Sequence, residues 1–93
     1  MAAPAFYPAP DARWLALRDE AVIDPGQPIV DAHHHLLAWP GWRYGTDELM
    51  ADIGAGHAVH STVYLQCGEW YRKDGPKQLR PVGETEYVDA QAT

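Results

Sequence analysis

Short apolar runs alternate along the chain with longer polar or aromatic stretches. Two runs rich in β-branched residues begin at Ile29 and Val59, each after a segment that favours a turn. They predict strands over 29–35 and 59–67. The second run lacks polar alternation, which is typical of a strand covered on both faces in a parallel sheet.

Helical patterns precede and separate these two runs. Asp11 is a suitable N-cap for a short helix over 12–22. Thr46 is a suitable N-cap for a second helix, which carries an apolar stripe. Gly54 or Gly56 would end that helix in a left-handed conformation.

The remaining segments complete an alternating order of elements. A last helix is predicted over 84–93, because acidic residues lie near the start of this segment. The stretches 36–45 and 68–81 are predicted to be long loops. The order is strand, long loop, helix, strand, long loop and start of a helix, which predicts an α/β fold built on a βαβ unit. The chain therefore divides into 1–27, an extended proline-rich arm with a short helix, and 28–93, the α/β unit.

Composition excludes several classes of protein. The chain has 93 residues, a net charge of −6 and one cysteine, Cys67. The acidity argues against a nucleic-acid partner and against adhesion to an anionic membrane, and one cysteine cannot form an internal disulfide. The first ten residues do not resemble a signal peptide, and no stretch approaches the roughly 20 apolar residues of a membrane helix. A cytoplasmic location is expected.

The candidate chemistry lies at the end of the first predicted strand, in the run Asp31-Ala32-His33-His34-His35. Strand side chains alternate faces, so His33 and His35 should point the same way with Asp31 behind them, about 6.6 Å apart along the backbone. Two imidazoles at this spacing can converge on one cation. His34 should point toward the covering helix and be packed or solvated.

Three adjacent histidines in a loop are more often simple surface residues. The position of this run, at the carboxyl end of a predicted parallel strand, favours a site. His57 and His60 lie before and at the start of the second predicted strand, the opposite end, and read as structural or surface residues.

Three stretches together resemble a known family. Residues 28–36 look like the first-strand motif of the amidohydrolase superfamily, in its amidohydrolase-related branch of TIM-barrel-fold metal-dependent hydrolases. Residues 62–76 and 79–86 are also similar to that branch, and the resemblance covers roughly 14–93. It implies a partial (β/α)8 TIM barrel: the first two strands, the connecting helix and the start of the next helix.

The resemblance also implies a chemistry. Metal-using members bind a divalent cation through the first-strand histidines, a role that carries to His33 and His35, with zinc the favoured metal. Such a cation polarises the substrate and lowers the pKa of water toward about 7. The implied activity is hydrolysis of C–O or C–N bonds in lactone- or amide-type substrates. Some relatives decarboxylate, and some lactonases need no metal, in which case the pair would polarise a carbonyl or orient water.

The stretches after both strands would lie on the site face and could wall a pocket. The predicted substrate-binding residues are Trp39, Trp42, Arg43 and Arg72; the two arginines could pair with a carboxylate on a small-molecule substrate. Ordinary loop packing or a solvated charge is the competing interpretation for each. Weaker candidates are Tyr44, Gln66, Cys67, Trp70, Tyr71 and Lys73.

No general base or further catalytic residue can be assigned. A complete barrel needs about 250 residues, and the later ligands of the family come from later strands. The chain is therefore expected to be a fragment of a hydrolase that is inactive alone and needs the remaining barrel segments or self-association. The alternatives are a catalytically inactive metal-binding or interaction module, or a remnant without function.

Overall fold

The computed structural model describes residues 10–92, and the predicted arm over residues 1–9 lies outside this range. The chain has mixed helix and strand content with two small sheets. No helix within the described range is long and apolar enough to cross a membrane. In chain order the elements are α1 (Ala12–Leu15), β1 (Pro28–His34), β2 (Leu37–Trp39), β3 (Trp42–Tyr44), α2 (Thr46–Ile53), β4 (Ala58–Tyr64), a 3-10 helix (Lys77–Leu79) and α3 (Val82–Ala92).

The two predicted strands, β1 and β4, pair in parallel as expected. Their register changes twice. An extra residue on β4 lies between the pairs Ile29–Val59 and Val30–Ser61, and an extra residue on β1 lies between the pairs Asp31–Thr62 and His34–Tyr64. Such bulges bend a strand and redirect its side chains, and the second one falls at the histidine run.

A β-hairpin occupies most of the stretch predicted to be a long loop over 36–45. Strands β2 and β3 pair antiparallel, with Trp39 opposite Trp42 across the turn at Pro40 and Gly41. Gly41 has a φ of +81°, a conformation that glycine adopts at no steric cost. The loop prediction was wrong here because aromatic residues in strands flank this two-residue turn.

Helix α2 begins one residue earlier than predicted. Gly45 is its N-cap and Thr46 its first residue, and the amide nitrogen of Gly45 donates to Glu48 Oε2 at 3.1 Å. The helix ends at Ile53, but the C-cap Gly54 has a φ of −82°, so the predicted left-handed ending does not occur there.

Helix α1 is much shorter than the predicted 12–22. Asp11 does cap it, accepting from the amides of Arg13 and Trp14, but the helix ends at Leu15. Trp14 is 68% exposed and Leu17 is 80% exposed. A helix without a packed apolar face is marginal at this length, so the sequence pattern alone does not extend it.

Helix α3 starts two residues before the predicted Glu84, and the predicted last residue, Thr93, lies outside the described range. Its first turn is crossed by the backbone of the preceding loop. A Cβ atom on Gly83 would lie 2.4 Å from the amide nitrogen of Arg72 and 2.6 Å from the carbonyl oxygen of Trp70. Only glycine allows this close approach.

The parallel sheet is covered on one face, not on both as predicted. His34, Thr62 and Tyr64 face a cavity of about 310 Å³ that is also lined by residues of α2 and α3. On the opposite face Val30 is 60% exposed and Val63 is 44% exposed. Within residues 10–92 the buried hydrophobic side chains are Leu36 and Leu37, which directly follow the histidine run.

Substitution Gly83→Ala should destabilise the protein by about 1–3 kcal/mol, because the new methyl group meets backbone atoms that cannot rotate away. This cost should exceed the roughly 1 kcal/mol that alanine gains over glycine inside a helix. Thermal unfolding followed by circular dichroism measures the change.

The matched control is Gly26→Ala, where the nearest atom to an added Cβ lies 3.9 Å away. It should change the free energy of unfolding by less than about 0.5 kcal/mol. A Gly83→Ala protein as stable as wild type would contradict the packing described for α3.

Candidate functional site

His33 and His35 meet at the carboxyl end of β1, as the spacing predicts. Their Nε2 atoms lie 3.1 Å apart, and the two rings meet edge to face with centroids 4.9 Å apart. Two nitrogens bound to one tetrahedral zinc, each at 2.0–2.1 Å, are about 3.3 Å apart. The pair is therefore already spaced for a shared cation.

The backbone at the end of β4 orients the ring of His35. Nδ1 of His35 lies 2.8 Å from the carbonyl oxygen of Leu65. A carbonyl only accepts, so Nδ1 carries the proton, and Nε2 of the neutral ring then presents a lone pair. Histidine ligands in metal sites commonly make this hydrogen bond through the other ring nitrogen.

The bulge in β1 changes the arrangement expected from strict alternation. Asp31 pairs with Thr62 and His34 with Tyr64, and both Thr62 and Tyr64 line the cavity under the helices. Asp31 therefore lies on the helix-covered face and not behind the pair, so that prediction was wrong. Its Oδ1 instead accepts from the amide of His33 at 3.1 Å, which stabilises the bulge.

His34 faces the helices, as predicted. Its ring packs edge to face on Tyr64 with centroids 5.5 Å apart, and Nδ1 is buried without a partner among the described residues. Burial lowers the pKa of His34, against the opposing charge of Asp31. The ring is packed on Tyr64 and takes no part in the pair.

The donor set is incomplete for a closed metal site. Within the part of the chain that the structure describes, no group of three or more His, Cys, Asp or Glu side chains could hold a metal ion. His33 and His35 fit two positions of a coordination sphere by spacing, and His35 also by tautomer. The 3.1 Å contact is a hydrogen bond in which Nε2 of His33 donates to Nε2 of His35, so a cation bound by both rings would displace that proton. Zinc in catalytic sites takes three protein ligands, so a third would come from outside these residues.

Glu84 is a buried carboxylate whose contacts sequence reasoning missed. Its side chain is 3% exposed and lies in the first turn of α3. Oε2 accepts from Tyr64 Oη at 2.6 Å and from the amide of Cys67 at 2.8 Å, and Oε1 accepts from the amide of Gly68 at 3.2 Å. The carboxylate therefore fixes the backbone that leaves β4.

The charges in this cluster follow from these contacts. Burial alone would raise the pKa of Glu84, but the hydrogen bonds from Tyr64 and the two backbone amides outweigh it and hold the pKa below its usual range. Burial raises the pKa of the Tyr64 hydroxyl and of the Cys67 thiol. A raised pKa favours the thiol of Cys67 over the thiolate, the nucleophilic form of cysteine.

Aromatic residues join the segment that follows β1 to the segment that follows β4. Trp39 Nε1 donates to Glu69 Oε1 at 2.8 Å, and Trp70 Nε1 donates to the carbonyl oxygen of Leu36 at 2.9 Å. Trp42 packs edge to face on Trp39, with centroids 5.4 Å apart. These contacts place aromatic side chains on both segments that follow the strands. They also anchor Leu36, the residue next to His35.

The two arginines predicted to bind substrate are paired with carboxylates of the chain itself. Arg43 Nη1 lies 3.1 Å from Glu48 Oε1, and Arg72 Nε lies 2.5 Å from Glu86 Oε1. Both guanidinium groups are largely exposed, so these pairs are weak and a substrate carboxylate could compete for them. Their role in binding stays a prediction.

The other histidines, His57 and His60, are exposed, as expected for residues at the amino-terminal end of β4. Two of the weaker candidates bond to each other: Gln66 Nε2 donates to Tyr71 Oη just beyond β4.

Comparison of the chain with protein-family models, with curated proteins and with solved structures finds no match in any of the three.

Lowering the pH should destabilise the protein through protonation of Glu84. Because its pKa is lower in the folded state, its contribution is complete above the ordinary value of 4.5 and is lost as the pH falls through the folded value. The melting temperature of wild type should therefore drop as the pH is lowered below about 5. Glu84→Gln should be less stable near neutral pH by about 1–3 kcal/mol and should show a shallower acid dependence.

Glu86→Gln is the control, because Glu86 lies on the same helix in an exposed ion pair. Its acid dependence should stay close to that of wild type. Equal slopes for Glu84→Gln and wild type would mean that the buried carboxylate does not stabilise the fold in the way the geometry indicates.

Proposed function

We propose that the chain is part of a metal-dependent hydrolase of the amidohydrolase type, in which His33 and His35 hold a divalent cation. The observation that carries this proposal is the convergence of the two Nε2 atoms, 3.1 Å apart, at the carboxyl end of a parallel strand. The hydrogen bond from His35 Nδ1 to Leu65 adds support, because it leaves Nε2 free to ligate.

The distribution of apolar side chains supports a larger (β/α) barrel architecture. The helices α2 and α3 lie on one face of the β1–β4 sheet, and the exposed valines Val30 and Val63 lie on the other. In a (β/α)8 barrel the helices surround the sheet and the inner face forms a packed core. His33 and His35 meet at the carboxyl end of β1, the end of the strands at which barrels of this kind place their sites.

The residues of the site suit hydrolysis of C–O or C–N bonds. A cation bound there would supply Lewis-acid polarisation of a carbonyl and activate water near neutral pH. The chain's own contribution is to hold His35 in the tautomer that can ligate. Trp39 and Trp42, on the hairpin that follows β1, could line a substrate pocket. Arg43 and Arg72 could bind a carboxylate on the substrate in exchange for their present partners.

A second candidate is a metal-binding or interaction module without catalysis. The incomplete donor set among residues 10–92 favours it, since two histidines leave the remaining coordination positions to other groups. It would obtain a third ligand and a cover for the open sheet face from a partner or a second copy.

Substitution of either histidine should reduce metal affinity. His33→Ala and His35→Ala should each weaken Ni²⁺ or Zn²⁺ binding by at least about 10-fold, because removal of a ligand costs more than loss of a supporting hydrogen bond. Isothermal titration calorimetry in a non-coordinating buffer measures the binding of each metal separately.

The matched control is His60→Ala, which removes an exposed histidine at the other end of β4 and should leave affinity unchanged. Equal affinity of wild type and the His33→Ala and His35→Ala variants would refute the metal site.

Turnover of a panel of lactones and amides separates the two candidate functions, the hydrolase and the interaction module. The incomplete hydrolase and the interaction module both predict no turnover by the 93-residue chain, but only the hydrolase gains turnover when the remaining barrel segments are supplied.

A further inference from the structure

The end of β4 connects the buried carboxylate of α3 to the histidine pair. Leu65 lies between two residues that Glu84 holds, Tyr64 through its hydroxyl and Cys67 through its amide. The amide of Leu65 donates to the carbonyl oxygen of His34 at 3.0 Å, and its carbonyl oxygen accepts from His35 Nδ1 at 2.8 Å. The Leu65 backbone thus bonds two consecutive residues of the histidine run, His34 and His35.

We propose that Glu84 is a positioning residue for the histidine pair: by holding the backbone beyond β4, it keeps the Leu65 carbonyl on Nδ1 of His35 and so fixes the tautomer in which Nε2 can ligate. Glu84 touches neither histidine and acts through the backbone. The expected effect of Glu84 on metal binding rests on the proposed function. The expected effect of Glu84 on the His35 tautomer does not depend on it.

The chemistry of a carboxylate is needed at this position. Its two oxygens each accept from a different backbone amide, Oε2 from Cys67 and Oε1 from Gly68. In Glu84→Gln, either orientation of the side-chain amide places an NH₂ group against one of these N–H groups. One amide must therefore leave, and the segment from Leu65 to Gly68 loses the constraint that aims the Leu65 carbonyl.

The first readout is the tautomer of His35 in the metal-free protein. Long-range ¹H–¹⁵N correlation spectra distinguish a ring protonated at Nδ1 from one protonated at Nε2, in buffer alkaline enough to leave imidazole neutral. The His35 signals are assigned by comparison with the spectrum of His35→Ala. Wild type should show the Nδ1-protonated form, and Glu84→Gln should show a large fraction of the Nε2-protonated form.

The second readout is binding of Ni²⁺ or Zn²⁺ alone, by calorimetry. Glu84→Gln should bind about 10-fold more weakly, the lower end of the effect expected when support for a metal ligand is lost. Glu86→Gln is the matched control, because it makes the same change of side chain on the same helix in an exposed ion pair. It should keep the tautomer and nearly all of the affinity.

The outcomes separate this inference from the proposed function. An unchanged His35 tautomer in Glu84→Gln, or a wild-type ring protonated at Nε2, overturns the inference. A wild type that has the expected tautomer but binds neither metal refutes the proposed function and leaves the positioning effect supported. If Glu84→Gln does not fold, Glu84→Asp replaces it, since the shorter side chain draws the carboxylate away from the same two amides and should shift the tautomer in the same direction.

Discussion

The carboxylate of Glu84 lies almost fully out of water and accepts three hydrogen bonds, two of them from consecutive backbone amides beyond β4. A buried carboxylate with fewer donors would be costly to leave ionised. With these donors it joins the first turn of α3 to the end of a strand in the parallel sheet. Gly83, next to it, lets the intervening segment cross the helix at backbone contact distance. Together the two residues determine where the segment after β4 runs, and the Leu65 carbonyl is part of that segment.

The regular elements could be predicted because their signals are local. Strands β1 and β4 follow runs of β-branched residues, and α2 follows acidic residues that suit the positive end of a helix. The hairpin of β2 and β3 was missed because a proline, a glycine and two tryptophans suggested an irregular loop, although a two-residue turn between strand-forming residues predicts a hairpin. Helix α1 was overextended because its apolar residues have no surface to pack against, which no local pattern reveals.

The histidine pair was predicted from alternation, and its members do meet, but alternation alone misplaces Asp31. The bulge between Asp31 and His34 inserts one residue and moves the aspartate to the helix-covered face. The contacts of Glu84 could not be read from sequence, because its amide partners lie 16 and 17 residues earlier in the chain. At sequence level an acidic residue in a first helical turn is explained by the helix dipole alone. The adjacent residue, Gly83, was the sequence signal that a backbone segment passes close to this helix.

One face of the β1–β4 sheet carries exposed apolar side chains, and the incomplete ligand set lies at the end of the same sheet. The helices lie on the face of His34, whereas Val30 and Val63 are exposed on the other face. Burying apolar surface is worth about 25 cal/mol per Å², so any element that packs on this face gains stability there. An element that also presents an imidazole or a carboxylate near its end would complete the coordination of a cation. An occupant of this face would therefore gain most if it both packed on the valines and supplied the missing ligand.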